Sequence, residues 1–128
     1  MAKTPSENWN SQLLQYRKKC QSIIQISKKI RYAGVINVYG RTLTGIVQPG
    51  IKPLLKSEQV KNEFFIISTL VSLRTGVDAS IGKLDHVILQ HQKVTVILLQ
   101  KKNVTYYVSV NKNEKNLEKI LSQIKKLI

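Results

Sequence analysis

The sequence predicts an α+β domain in which one five-stranded antiparallel sheet is flanked by helices. Apolar residues recur with helical spacing in three segments, and β-branched runs bounded by turn residues form five candidate strands. The 128 residues contain no internal repeat and no low-complexity linker, so these elements must share one core. We therefore predict a single domain over residues 1–128 with the order helix, two strands, helix, three strands, helix.

The first helix is predicted over about residues 4–30, and the sheet and helix core over about residues 31–128. Thr4 can cap this helix, Pro5 suits its first position, and Glu7 can bond back to the cap. Apolar residues from Trp9 to Ile30 then fall on one face at about 100° per residue, with basic and amide side chains opposite. The long apolar face predicts a helix that packs across the whole domain.

A β-hairpin is predicted after the first helix, because strand-like segments at 32–39 and 42–47 flank a tight turn. The second helix is predicted from Ser57 to about Arg74, with Gly76 after its end. Three further strands are predicted over 84–90, 93–99 and 104–110, and the terminal helix begins at about Asn113.

The second helix carries two apolar stripes instead of one. The first consists of Val60, Phe64, Ile67 and Val71, and the second consists of Ile66, Leu70 and Leu73. Each stripe must be buried against another surface, and the sheet can bury only one of them. A partner subunit is one candidate for the second cover, and loops of the same chain are the other.

Charge is the main departure from an ordinary composition, with 21 Lys plus Arg against 7 Asp plus Glu. Anionic partners, nucleic acid among them, must therefore be considered. The candidate anion-binding face comprises Arg17, Lys18, Lys28, Lys29 and Arg31. Most of the basic residues are Lys, whereas recognition of phosphates and base edges favours Arg. An excess of lysine that serves solubility alone is the competing interpretation.

The sequence indicates neither an enzyme nor a cofactor. It has no glycine-rich phosphate-binding motif. Neighbouring strand residues point to opposite faces, so we expect no acid–base pair between Asp85 and His86. His86 and His91 lack a third ligand for a metal, and Cys20 lies in an apolar stripe as a small hydrophobe. A small-molecule sensor is a further alternative, in which Asn37 would line a pocket instead of facing solvent.

A cytoplasmic protein without a membrane span is expected. The N-terminus lacks the apolar run of a signal peptide, and no apolar stretch approaches the ~18–20 residues that a span requires. Cys20 is the single cysteine of the sequence. An internal disulfide is therefore excluded, which is typical of a reducing compartment.

The segment VINVYGRTLTGI, from Val35 to Ile46, resembles the first hairpin of the roadblock family of dynein light-chain-like proteins. The strand, strand, strand, helix arrangement from Leu84 to Leu127 is similar to that family too, so the resemblance spans nearly the whole chain. The pattern also resembles that of small archaeal proteins. The resemblance implies a roadblock-like (profilin-like) αββαβββα fold.

The resemblance also implies a homodimer in which the third strands pair edge to edge and the second helices pack together. The residues expected at this interface are Val60, Phe64, Ile67, Val71, Leu84, His86 and Ile88. Family members act as scaffolds or activators for small GTPases, or as subunits of larger complexes. The leading expectation is therefore a non-enzymatic scaffold or regulatory protein that binds another protein, with a small GTPase as the candidate partner. Sequence-independent nucleic-acid binding is the alternative.

Overall fold

A computed structural model of the chain describes residues 4–128. The helices and strands follow the order that the sequence predicts, with one extra short helix after the second helix. The elements are α1 (Pro5–Ile26), β1 (Ile30–Asn37), β2 (Thr42–Val47), α2 (Ser57–Arg74), a 3-10 turn (Thr75–Val77), α3 (Asp78–Ile81), β3 (Val87–Gln90), β4 (Val94–Lys101), β5 (Val104–Asn111) and α4 (Leu117–Leu127).

The five strands form one antiparallel sheet in the spatial order β2-β1-β5-β4-β3. The α+β fold class is therefore confirmed. Strand β5 is the central strand, between β1 and β4, and β2 and β3 form the two edges. Strand β3 is short and has β4 as its only neighbour within the described chain.

Helices α1 and α4 cover one face of the sheet, and α2 covers the other. Cys20 and Ile23 of α1 and Ile124 of α4 pack with the strand residues that point to their side. On the opposite face, Phe64 and Ile67 of α2 pack with strand residues that include Ile36, Val96, Leu98 and Tyr107. The alternation of side chains along each strand separates the two apolar clusters.

Helix α1 ends at Ile26, four residues before the predicted end at residue 30. Ser27 adopts an extended conformation, with φ −156° and ψ 141°. Its hydroxyl accepts a hydrogen bond from the Lys29 backbone N–H at 3.1 Å. The chain reverses there because Ile30 must pair with Val110 as the first residue of β1. Ile30 is fully buried in either case, so apolar periodicity alone could not separate a helix residue from a strand residue.

Strand β3 and helix α4 both begin later than predicted, at Val87 and Leu117. Glu114, which directly follows the predicted start of the last helix at Asn113, lies in a turn before α4. Its carboxylate accepts hydrogen bonds from the Asn116 N–H at 2.9 Å and from the Ser27 hydroxyl at 3.2 Å. The bond from the Asn116 backbone, followed by the bond from Ser27, lowers the pKa of Glu114 despite some desolvation.

The turn between β1 and β2 is organised by Asn37. The side-chain oxygen of Asn37 accepts hydrogen bonds from the backbone N–H groups of Tyr39 and Arg41, at 2.9 and 3.0 Å. Asn37 is therefore a turn residue, and its amide is occupied by the backbone instead of lining a pocket. Gly40, in the same turn, has a φ of +79° and approaches the backbone of α2 at Phe64 and Phe65.

Candidate functional site

The inner stripe of α2 is part of the core of the single chain. Phe64, Ile67 and Val71 are only 4%, 1% and 3% exposed. Their rings and methyl groups face the sheet, where Phe64 contacts Tyr107 edge to face with ring centroids 4.9 Å apart. The prediction that these three residues lie at the dimer interface is therefore wrong, because the sheet of the same chain already buries them. The helix has two apolar stripes, and the sequence does not show which of them the sheet takes.

The other stripe of α2 is left uncovered by the described chain. We define the outer stripe as Phe65, Ile66, Leu70 and Leu73, which are 62%, 59%, 37% and 73% exposed. Their spacing places them on one side of the helix, away from the sheet. No loop within residues 4–128 buries them. A row of exposed large apolar residues of this kind is typical of an interaction surface.

Strand β3 is an edge strand of the sheet: one of its sides pairs with β4, and its other side has no neighbouring strand in the described chain. Val87 and Leu89 point toward α2, and Ile88, 39% exposed, points toward the opposite face. Leu84 and His86 are half-buried and precede the strand. Val60, by contrast, lies in the first turns of α2 and lines a cavity there. The structure thus groups Leu84, His86 and Ile88 near one edge and places Val60 elsewhere.

Asp85 and His86 are in contact, contrary to expectation. Asp85 Oδ2 lies 2.5 Å from His86 Nδ1 and also accepts a hydrogen bond from the Lys125 ammonium of α4. The two residues precede β3, so strand alternation does not apply to them. The Lys125 bond and then the His86 bond lower the pKa of Asp85. The cluster ties the segment before β3 to α4 at an exposed position.

The remaining candidate reactive residues are not assembled into a site. Among residues 4–128, no group of three or more His, Cys, Asp or Glu side chains could hold a metal ion. His91 is exposed in the turn after β3. Cys20 is fully buried against the sheet, and this burial raises the pKa of its thiol to about 12 despite the nearby charge of Arg17. The thiol is therefore protonated at neutral pH.

The predicted basic face does not form one surface. Arg17 and Lys18 are exposed on α1, but the helix ends before Lys28 and Lys29. The Lys29 ammonium donates to the Asn113 carbonyl at 3.2 Å. Arg31 lines a cavity on the α2 side of the sheet and is hydrogen-bonded there. A helix through residue 30 would place the five residues on one face, but the early end of α1 distributes them over both faces of the sheet.

One segment of the described chain, Ser57–Ile81, is long and apolar enough to cross a membrane, because an 18-residue window within it has a mean hydropathy of 1.4. The expectation of no span considered only uninterrupted apolar runs. In this fold α2 packs on the sheet through its inner stripe. Only 22% of the apolar window is buried, and the segment meets the criteria of length and composition for a span, contrary to the expectation.

No protein-family model matches the sequence, and no curated protein matches it either. Solved structures do match. The gliding protein MglB from Thermus thermophilus superposes with a TM-score of 0.73 at 10% identity, covering 90% of this chain and 84% of its own. A Roadblock/LC7 domain from Streptomyces avermitilis gives a TM-score of 0.66 at 10% identity, covering 86% and 88%. An MglB with a tetrameric arrangement gives 0.65 at 7% identity, covering 88% and 89%.

The chain has the roadblock/LC7 fold. The expected likeness to roadblock proteins is thereby confirmed at the level of the fold, since identities near 10% carry no more than that. The resemblance implies self-association through the second helix and the third strand, and the uncovered surfaces of these two elements are the outer stripe of α2 and the edge of β3. Both are open in the described chain.

Sequence reasoning missed the cavity beside Val60 and the contact between Asp85 and His86. The first could have been suspected from the apolar residues of the segment Ile51-Lys52-Pro53-Leu54-Leu55, which neither alternate like a strand nor belong to a helix. The second had no sequence signal, because it depends on where β3 begins.

Proposed function

We propose that the protein is a non-enzymatic, homodimeric scaffold of the cytoplasm that binds another protein, with a small GTPase as the partner class. The observation that carries this proposal is the outer stripe of α2, an exposed apolar row on a helix whose other side packs on the sheet. Burying such a row stabilises an assembly by roughly 25 cal/mol per Å² of apolar surface removed from water.

Self-association through β3 and α2 would satisfy two requirements at once. Strand β3 presents unpaired backbone N–H and C=O groups at the edge of the sheet. Pairing it with the same strand of a second copy would close this edge and extend the sheet. A two-fold axis at that edge brings the two α2 helices together on the same face, so each outer stripe covers the other. Ile88, Leu84 and His86 lie near this axis in the proposed dimer.

The small-GTPase partner is supported by the resemblance to roadblock proteins and by the shared fold. The protein has no glycine-rich phosphate-binding motif of its own, so it would act on a nucleotide-binding partner instead of on a nucleotide. Affinity capture of the tagged protein from its source, with and without nuclease, tests this. Recovery of a small GTPase that survives nuclease is expected. If ribosomal or chromatin proteins are captured and are lost on nuclease treatment, the basic surface binds nucleic acid and this proposal is wrong.

The dimer is tested by light scattering coupled to size-exclusion chromatography at tens of micromolar protein. We expect a mass twice that of the 14.6 kDa chain. Ile66→Asp, in the outer stripe, is expected to give a folded monomer, because a charge cannot be buried unpaired between two helices. Leu14→Asp on α1 is the matched control, since Leu14 is 53% exposed and Ile66 is 59% exposed.

Two outcomes would contradict the proposed dimer. A wild-type monomer at these concentrations would remove it. A dimer that survives Ile66→Asp but not Leu14→Asp would place the interface on the opposite face of the sheet. Ile67→Asp, one residue further and 1% exposed, is expected to unfold the chain, because an uncompensated buried charge costs several kcal/mol. Circular dichroism distinguishes this loss of fold from a loss of association.

A further inference from the structure

A cavity of about 280 Å³ lies between the N-terminal part of α2, the sheet and the segment from Gln48 to Lys56. Its floor is the aromatic group of Tyr32, Phe64 and Tyr107, and its walls include Val60 and Leu54. The lining is predominantly apolar. The volume is slightly below the ~300–1,000 Å³ usual for small-molecule sites, so the apolar part of an occupant must be small.

Arg31 is the charged residue of this lining. Its guanidinium donates to the Asn111 side-chain oxygen at 3.0 Å and to the Lys52 carbonyl at 2.8 Å, and both acceptors are neutral. The ion pairs of the described chain all belong to Asp85, so no carboxylate of residues 4–128 compensates this half-buried cation. Two bonds leave other guanidinium N–H groups able to bind an anion.

The surroundings reinforce the positive potential at the rim. Lys52 and Lys56 are exposed on the segment that forms one wall, and α2 begins directly after Lys56. The positive end of a helix dipole lies there as well, and the carboxylate of Glu58 in the first turn offsets part of it. Glu63 of α2 is close enough to Tyr107 to raise its pKa, secondarily to burial. Glu63 does not pair with Arg31 and does not line the cavity.

We propose that this cavity binds a small amphipathic anion, whose apolar body lies on the aromatic floor while its carboxylate or phosphate group pairs with Arg31. The anion supplies the counter-charge that the chain lacks, and the apolar body fills space that Leu54, 54% exposed, leaves open. Such a ligand could be a free medium-chain acid or a lipid offered by a membrane surface. This inference does not rest on the proposed dimer, because no residue of the outer stripe lines the cavity.

The test is a titration of the full isotope-labelled chain followed by NMR, with decanoate as the anionic probe and 1-decanol as the uncharged one, both below micelle-forming concentrations. We expect both to shift the methyl signals of Val60 and Leu54. Decanoate should bind about tenfold more tightly, a difference of ~1.4 kcal/mol. Absence of shifts at these methyl groups, or tighter binding of 1-decanol, would overturn the proposal.

Variants separate the charge from the cavity. Arg31→Gln should reduce decanoate binding to the level of 1-decanol, whereas Arg31→Lys should retain part of the preference. Ser109→Leu, which fills the cavity from β5, should weaken both probes. Lys18→Gln is the matched control, since it removes one charge from α1 on the other face of the sheet. An equal effect of Lys18→Gln and Arg31→Gln would mean general charge attraction and would refute a specific site.

The source of the ligand is resolved by a second arm with vesicles of phosphatidylcholine, alone or mixed with phosphatidylglycerol. Decanoate binding at the cavity without vesicle association supports a free acid. Vesicle association that is lost in both Arg31→Gln and Ser109→Leu supports a lipid at the same site. A third outcome would overturn the cavity proposal. If neither substitution changes vesicle association and decanoate does not shift the methyl signals of Val60 and Leu54, anions bind to the basic exterior of the protein.

Discussion

The side-chain amide of Gln48 donates a hydrogen bond to the backbone carbonyl oxygen of Ile30 at 3.0 Å. The same nitrogen lies 3.2 Å from the carbonyl oxygens of Ile24 and Ser27. The last carbonyls of a helix have no partner within the helix. Gln48 therefore caps the end of α1 from the loop after β2, and it fixes the turn through which the chain passes from α1 into β1.

Gln48→Leu is expected to lower the free energy of unfolding by ~1–3 kcal/mol, because it removes the side-chain donor from the Ile24 and Ile30 carbonyls. The Ser27 carbonyl keeps the Ile30 backbone N–H as a donor. Urea denaturation followed by circular dichroism measures this change. Gln25→Leu on the exposed side of α1 is the control and should alter stability by less than ~0.5 kcal/mol. Equal effects of the two substitutions would show that the Gln48 amide does not stabilise the turn.

Gly40 is the residue at which the β1–β2 turn meets α2. A Cβ atom there would lie 2.8 Å from the Phe64 carbonyl oxygen and 2.8 Å from Phe65 Cα, and φ is +79°. Gly40→Ala is therefore expected to destabilise the protein by roughly 1–3 kcal/mol, through the backbone strain and the displacement of α2. Thermal or urea denaturation gives the value.

Two other glycines separate the contributions at Gly40. Gly50 has a similar φ of +81° but no neighbouring atom within 4 Å of a Cβ, so Gly50→Ala measures the strain alone. Gly76 has neither the positive φ nor a near neighbour, and Gly76→Ala should be neutral or stabilising by up to ~1 kcal/mol. If Gly40→Ala costs no more than Gly50→Ala, the contact between the turn and α2 contributes nothing.

The order of the elements and the existence of α2 could be predicted because their signals are local. The limits Ser57 and Arg74 agree with the structure, but the expected cap and stop residues do not act there. The N-cap is Lys56, whose backbone N–H donates to the Gln59 side chain. The chain continues from Arg74 into a 3-10 turn, in which Gly76 has no positive φ. The end of α1 could not be predicted, because Ile30 is buried whether it belongs to a helix or to a strand. The pairing of Ile30 with Val110 decides the matter, and that partner is 80 residues away in the sequence.

The candidate site was predicted in part for a related reason. The two stripes of α2 were visible in the sequence, but Phe64 and Ile66 are equally apolar. The register of the strands selects between them, because Ile36, Val96 and Tyr107 all point to the side on which Phe64 lies. The cavity depends on the path of the loop after β2, which Arg31 holds through the Lys52 carbonyl. Neither the packing of Phe64 on the sheet nor the bond from Arg31 to Lys52 can be recognised from the residues next to them in the sequence.

The Asp85 carboxylate is expected to titrate below its ordinary pKa, because the ammonium of Lys125 and then the imidazole of His86 bind its ionised form. A pKa that is lower in the folded state stabilises the fold above the unfolded pKa of ~3.9, and this stabilisation is lost as the pH falls through the folded value. Carbon-detected NMR of the Asp85 carboxyl measures the midpoint.

Lys125→Met should move the Asp85 midpoint upward, toward its ordinary value. Lys126→Met is the matched control, because it removes the same charge from the next residue of α4 and should leave the midpoint nearly unchanged. An upward shift of equal size in both variants would mean that the general positive field of the protein lowers the pKa. The specific bond between Asp85 and Lys125 would then not be the cause.

Cys20 is expected to resist thiol reagents in the folded protein. It is fully buried, and this burial raises the pKa of its thiol from 9.0 to about 12. The thiolate is the reactive form, so at pH 8 this shift alone lowers the reactive fraction by roughly a thousandfold. The reaction with a disulfide reagent, followed by absorbance, should therefore be at least about a hundredfold slower in buffer than in denaturing urea. Rates within a few-fold of each other would show that α1 opens from the sheet more often than its packing implies.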